Sequence, residues 1–149
     1  MSLLPLVSTY AGVFGVVLLS ALVAPPGQEV AVLTEGRLVA SGGLLWWPGF
    51  VVTVAAVVFS DLALFSIGRR LATLDRIPKW ERAARFIRRI ASVGAVAVVI
   101  ARFVPGTRLL LFPAAGTGRL RVVRFLLLDL CAAVLWVSSM LWAGAQLLH

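Results

Sequence analysis

The stretch of residues 101–116 constrains the fold more than any other, because it places two arginines and two prolines inside a strongly apolar run. A guanidinium in hydrocarbon costs roughly 2.5–3.5 kcal/mol on insertion scales, so such a residue usually marks a binding site or an ion pathway. Arg102 and Arg108 would point about 120° apart on an unbroken helix. Pro105 and Gly106 lie between them. The sequence therefore predicts a break that brings both arginines to one anionic group, surrounded by protein or a water-filled cavity.

The composition of the chain indicates an integral membrane protein. Of its 149 residues, 61% are hydrophobic and 13% are charged, which is too apolar for a soluble domain. A span needs about 20 apolar residues, so residues 3–24, 50–68 and part of 120–148 predict about three transmembrane helices. We expect an all-α fold with a single domain over residues 1–149.

Residues 25–40 are too short and too polar to cross the bilayer. They begin with Pro25 and Pro26 and carry Glu29, Glu35 and Arg37. On composition alone, an extramembrane loop and a re-entrant hairpin that dips into the bilayer are equally good interpretations.

The basic residues are concentrated in two places, which predicts the orientation of the chain. Eight of the 14 lie between residues 69 and 89, and Arg119, Arg121 and Arg124 form a second group. The positive-inside rule puts both groups in the cytoplasm, so residues 92–118 should enter and leave on that side as a re-entrant hairpin. A hairpin over residues 25–40 would then enter from outside and oppose it.

The basic loop 69–92 is predicted to be cytoplasmic and to contain a basic amphipathic helix. Apolar positions recur at helical spacing over residues 76–91, with arginines mostly on the other side. Such a helix should lie on the membrane surface and be drawn to anionic head groups. Because no nucleic-acid-binding motif accompanies the charge, we do not expect nucleic acid as a partner.

Asp61 should carry a charge inside the membrane. It lies about 12 Å before Arg69 by helical rise, so it must be paired or line water. Two roles are open, a functional carboxylate or a scaffold partner of a backbone group or an arginine. Asp129 closely follows Arg124 and is interpreted as a helix residue near the interface.

The remaining reactive side chains argue against an enzyme. Cys131 is the only cysteine, and His149 at the C-terminus is the only histidine. Neither a metal-ligand set nor a nucleophile with its base can be assembled from them. We therefore expect no metal, no cofactor and no enzymatic activity.

Three motifs follow one another in an order that is known from one family. Residues 25–29 read Pro-Pro-Gly-Gln-Glu, and residues 60–69 read Ser-Asp-Leu-Ala-Leu-Phe-Ser-Ile-Gly-Arg. Residues 102–108 read Arg-Phe-Val-Pro-Gly-Thr-Arg, followed by a proline and by Ala-Gly at 115–116. This pattern resembles the DedA family of membrane proteins, whose domain is called SNARE-associated or VTT. The chain departs from it where Ser60 replaces a glycine, Phe65 a tyrosine and Leu109 a serine or threonine.

The resemblance implies a fold and a function. It favours the re-entrant interpretation of residues 25–40, so that Pro25 and Pro26 break one hairpin. The other hairpin would be broken by Pro105, Gly106 and Pro113. The implied function is a membrane transporter, a flippase or scramblase that moves an anionic lipid, such as undecaprenyl phosphate or a phospholipid, between leaflets of the bacterial plasma (inner) membrane.

The resemblance and the intramembrane charges together assign roles to four residues. Arg102 and Arg108 would bind the phosphate head group, and Glu29 and Asp61 would supply protonatable charge for proton coupling. The partners are then membrane lipid and protons, and a homodimer is among the states that the sequence allows. Two other functions stay open, a proton-coupled exporter of small cations or drugs and a non-transporting membrane scaffold.

Overall fold

The computed structural model describes residues 3–23, 27–73, 89, 95–104, 106–118 and 120–147. Over these residues the chain is helical and contains no strand, as the sequence predicts. The helices are α1 (Leu3–Val23), α2 (Gly27–Ala40), α3 (Trp46–Thr73), α4 (Ala95–Phe103), α5 (Arg108–Thr117) and α6 (Val122–Gln146).

Two of these helices are long and apolar enough to cross a membrane. They contain the candidate spans Trp46–Ala72, with 27 residues, and Val122–Gln146, with 25 residues. At about 1.5 Å per residue, each exceeds the roughly 30 Å of a hydrocarbon core. The predicted second and last spans are therefore helices of sufficient length. The first predicted span lies in α1, whose described apolar part Val7–Ala21 is shorter, so a third crossing stays a prediction.

The helix α2 is one continuous helix of 14 residues. Its length of about 21 Å is too short to cross, which agrees with the sequence, whereas its re-entrance into the bilayer stays a prediction. Gly36, in the middle of α2, lies against the backbone of Leu141 in α6. Gly144 of α6 lies in the same way against the backbone of Leu33. Small residues on both helices therefore allow this close approach.

The predicted break between the two arginines is present. Helix α4 ends at Phe103 and α5 begins at Arg108. Gly106, between them, has φ 79°, a left-handed conformation that glycine adopts without steric cost. Pro105, like Pro25 and Pro26, is outside the described residues, as is most of the predicted amphipathic helix over residues 76–91.

Pro113 does not break the hairpin, which corrects the expectation from the sequence. Helix α5 continues through it to Thr117. A proline inside a helix gives up one backbone hydrogen bond and crowds the carbonyl four residues earlier. Here the backbone of Pro113 packs closely against Gly68 of α3, and this tertiary contact helps to hold the helix together despite the lost hydrogen bond.

The chain divides into two compact units, residues 1–60 with 133–149 and residues 61–132. The core of the first unit is built from α1, α2, α3 and α6, with buried side chains such as Val17, Val32, Val57 and Val137. Whether residues 1–149 behave as a single domain stays a prediction.

The second unit has an aromatic core. The rings of Phe65 and Phe125 stack at 4.3 Å between centroids, and Phe112 meets Phe125 edge-on at 5.5 Å. All three side chains are fully buried. These contacts tie α3, α5 and α6 together around the charged residues of this unit.

Candidate functional site

Four charged side chains from four helices meet inside the second unit. Asp61 comes from the middle of α3 and Arg102 from the last turn of α4. Arg108 is the first residue of α5, and Asp129 lies in the second turn of α6. We call these four residues the charge cluster. The break between α4 and α5 is what allows two arginines six positions apart to reach the same place.

Arg102 is held between two carboxylates. Its Nη2 donates to Oδ2 of Asp61 and, at 2.5 Å, to Oδ1 of Asp129. The side chain of Arg102 is 1% exposed, and those of both aspartates are 0% exposed. Its guanidinium carbon also lies 5.8 Å from the centre of the Phe112 ring, a cation–π distance. Charge-assisted hydrogen bonds of this kind are stronger than neutral ones, so Arg102 is firmly placed.

Arg108 reaches the same aspartate from the other side. Its Nη1 lies 3.3 Å from Oδ1 of Asp61, and its side chain is 12% exposed. The anionic group on which the two arginines converge in this structure is therefore the Asp61 carboxylate. Of the two arginines, Arg108 is the more accessible to a ligand.

Asp129 is a member of the cluster that the sequence interpretation missed. It was expected near the interface, but it is fully buried and paired with Arg102. The helical repeat contains a signal for this: Phe125, Asp129 and Ala132 are spaced four and three residues apart, all are buried, and so they lie on the inward face of α6. Proximity to Arg124 in sequence was the weaker guide, because Arg124 is on the exposed face.

The formal charges of the cluster cancel. Two guanidiniums, which stay protonated in proteins, face two carboxylates. Oδ2 of Asp129 is buried and has no hydrogen-bond partner within the described part of the chain. Adding an anion would leave the cluster with excess negative charge in a low-dielectric interior, where such charge is costly. Anion binding therefore requires either a displaced ion pair or an added proton.

Two glycines keep α3 and α5 close together beside the cluster. A Cβ on Gly68 would lie 2.6 Å from Cα of Pro113, and a Cβ on Gly116 would lie 3.1 Å from the backbone nitrogen of Arg69 and overlap the carbonyl of Phe65. Both contacts are closer than side-chain carbons normally reach. Helix α5, which starts with Arg108, is thus fixed against the helix that carries Asp61.

The predicted residue Glu29 belongs to the first unit. It lies in the first turn of α2 and is half-buried. The proton-coupling role that the sequence assigned to it stays a prediction.

Glu35, also on α2, is the buried carboxyl group of the first unit. It is 3% exposed and accepts a hydrogen bond from the Thr53 hydroxyl of α3. A Cβ on Gly49 would lie 2.9 Å from its Oε1, so glycine leaves the space in which this carboxyl sits. Arg37, two residues further along, is exposed.

A surface groove of about 450 Å³ lies at the start of α6 in the second unit. Leu120, Val123 and Leu127 give it an apolar lining, and Arg121 and Arg124 lie at the same groove. Apolar side chains beside guanidiniums suit a molecule with a hydrocarbon chain and an anionic head group.

Comparison with known proteins gives consistent matches. Residues 32–146 match the family model described as VTT domain. An uncharacterised membrane protein of Synechocystis sp. is 30% identical over 133 residues, which cover 84% of this chain and 60% of that protein. An uncharacterised membrane protein of Haemophilus influenzae is 28% identical over 102 residues, 63% of this chain and 48% of that protein.

A third relative has a functional name. Undecaprenyl phosphate transporter A of Staphylococcus aureus is 26% identical over 149 residues, 93% of this chain and 73% of that protein. The chain thus spans about half to three quarters of the lengths of these relatives. No solved structure matches the chain.

Proposed function

The chain belongs to the VTT-domain, or DedA, family of membrane proteins, and from this premise we propose that it is a transporter that moves an anionic lipid between the leaflets of a membrane. The lipid class is one with an exposed phosphate, such as undecaprenyl phosphate or an anionic phospholipid. Movement is coupled to protons. The membrane is the bacterial plasma membrane, with the basic loop 69–92 on its cytoplasmic side.

The observation that carries this proposal is the convergence of two arginines on one buried carboxylate. A planar guanidinium binds the oxygens of a carboxylate and of a phosphate with the same geometry. A phosphate can therefore take the place of the Asp61 carboxylate at Arg108. The 12% exposure of the Arg108 side chain gives a ligand a first point of contact, whereas Arg102 is enclosed.

Charge balance supports the coupling to protons. Because the cluster is neutral with four formal charges, an incoming phosphate is bound best when a carboxylate is protonated at the same time. Binding of the anion and of the proton then favour each other, and the coupling is reciprocal. A proton gradient across the membrane can thereby bias the direction in which the lipid moves.

The experiment uses the full-length protein in liposomes with a fluorescent lipid analogue in both leaflets and a membrane-impermeant quencher outside. We expect labelled phosphatidylglycerol to exchange between leaflets faster than labelled phosphatidylcholine, which has no net charge. We expect Arg108→Ala to slow exchange by about 10- to 100-fold, the equivalent of the roughly 1.5–3 kcal/mol of a charged hydrogen bond. Arg108→Lys should recover little of it, because lysine lacks the planar fork.

Arg37→Lys is the matched control, because Arg37 is an exposed arginine of α2 in the first unit and should tolerate the change. Arg108 is tested rather than Arg102, since removing Arg102 would leave two buried carboxylates without their shared cation, at a cost of about 3–5 kcal/mol. Equal exchange by intact protein and by Arg108→Ala would contradict the proposal. Full activity of Arg108→Lys would show that a point charge is enough.

A scaffold without transport is the second candidate, and one observation favours it. The cluster is internally satisfied in charge, as a buried ion-pair network that only fixes helix packing would be. In that case the intact protein exchanges no lipid, and Arg108→Ala is lost from the membrane or unfolds at a lower temperature. Stability and exchange measured on the same variant therefore separate the two functions.

A further inference from the structure

We propose that Asp129 is a proton-accepting residue of the charge cluster, which takes up one proton when a phosphate binds at Arg108. This inference rests on the proposed function and assigns the coupling site within it. The sequence patterns assigned that role to Asp61 and Glu29 and placed Asp129 near the interface.

The contacts of the two aspartates differ. Asp61 faces two cations, with Oδ2 hydrogen-bonded to Arg102 and Oδ1 3.3 Å from Nη1 of Arg108. For Asp129, Oδ1 accepts from Arg102, and Oδ2 has no hydrogen-bond partner within the described residues. A proton can therefore be added to Oδ2 of Asp129 while the bond between Oδ1 and Arg102 stays in place. Adding a proton to Asp61 would weaken a contact with an arginine.

The groups that face Asp129 come from every helix that joins the cluster. They are Asp61 of α3, Arg102 of α4 and Arg108 of α5. The arginines stay protonated, so the proton must go to a carboxylate. The negative charge of Asp61, which shares Nη2 of Arg102 with Asp129, opposes a second negative charge on Asp129.

The charge count then follows step by step. A proton from the aqueous phase binds Oδ2 of Asp129, and the cluster changes from neutral to a net charge of +1. A phosphate diester with one negative charge binds Arg108, the ion pair between Arg108 and Asp61 opens, and the cluster with its ligand is neutral again. Asp61 keeps its bond to Arg102 throughout. Release of the phosphate lets Arg108 return to Asp61 and Asp129 give up its proton.

The test measures proton uptake on binding by the purified full-length protein in detergent. The probe is dihexyl phosphate, a diester of constant charge, because a phosphomonoester would itself titrate near about pH 6. Calorimetric titrations at several pH values in two buffers of different ionisation enthalpy give both Kd and the number of protons bound. For the intact protein we expect about one proton per probe and, where Asp129 starts out ionised, a Kd that rises about tenfold for each pH unit.

Asp129→Asn keeps an oxygen acceptor for Arg102 but cannot ionise, so we expect it to bind the probe with no proton uptake and no pH dependence. Glu35→Gln is the matched control, since it replaces a buried acid by its amide in the first unit and should leave proton uptake unchanged. Asp129→Glu restores a titratable group at a different position and should move the pH at which uptake is half complete. A thermal unfolding curve accompanies each variant.

The outcomes are distinguishable. Proton uptake by folded Asp129→Asn equal to that of the intact protein overturns the inference and leaves the proposed function standing. If Asp129→Asn does not fold, Asp129→Glu decides, and an unchanged uptake midpoint overturns the inference. Failure of the intact protein to bind the probe overturns the proposed function and this inference together. A merely structural role of Asp129 would change stability without changing the number of protons taken up.

Discussion

Gly68→Ala is expected to destabilise the second unit by forcing α3 and α5 apart. An added Cβ would lie 2.6 Å from Cα of Pro113 and still closer to its carbonyl, whereas carbon atoms normally pack at about 3.5 Å. The helices must therefore separate by roughly 0.9 Å at this point. Overpacking of this kind costs about 1–3 kcal/mol, and the better helix propensity of alanine returns up to about 1 kcal/mol.

The displacement should also reach the charge cluster. Asp61 lies seven residues before Gly68 on the same helix, which is two turns away on the same face. A separation of that size would lengthen the 3.3 Å contact between Asp61 and Arg108 towards the limit of an ion pair. We therefore expect both lower stability and altered binding of dihexyl phosphate.

The assay is thermal unfolding of the purified protein in one detergent, followed by intrinsic tryptophan fluorescence. A net loss of about 2 kcal/mol corresponds to a midpoint about 4–8 °C lower for a chain of this size. Gly12→Ala and Gly15→Ala are matched controls, because a Cβ at either glycine of α1 meets no atom within 4 Å. They should unfold at the same or a slightly higher temperature. A Gly68→Ala midpoint equal to that of these controls would refute the reasoning.

Three further predictions concern the first unit and the topology. Thr53→Val should cost about 1–3 kcal/mol in unfolding free energy, because it removes the hydroxyl that donates to buried Glu35; a change within error would mean that water replaces it. Burial raises the pKa of Glu35 to about 7, partly opposed by the Thr53 bond, and α2 is too short to span. The folded protein then binds more protons than the unfolded chain between about pH 4.5 and 7, so stability should fall as pH rises through this range, and Glu35→Gln should abolish that fall; an unchanged pH profile in Glu35→Gln would assign it to another group. Gly94→Cys and Gly118→Cys, each in a Cys131→Ser background, should be labelled only from the cytoplasmic face, and external labelling of either would rule out the second hairpin.

The sequence alone determined the features that depend on local chemistry. The apolar runs predicted α3 and α6 as span-length helices, because hydrophobic length is read residue by residue. Gly106 between two arginines predicted the break between α4 and α5, since a positive φ and a proline disrupt any helix locally. The motifs at residues 60–69 and 102–108 indicated the family, and the arginines and Asp61 were identified by the cost of charge in an apolar run.

Only the tertiary structure decided which charges meet. Asp129 appeared to belong to the interface by its distance along the chain from Arg124, but the rotation of α6 turns it inward to Arg102. Pro113 was expected to end a helix, and its close packing on Gly68 shows why that helix continues. Partners far apart in sequence are selected by helix packing, and packing depends on the summed contacts of several helices rather than on any one segment. The pairing of Arg102 with two aspartates is a result of that sum.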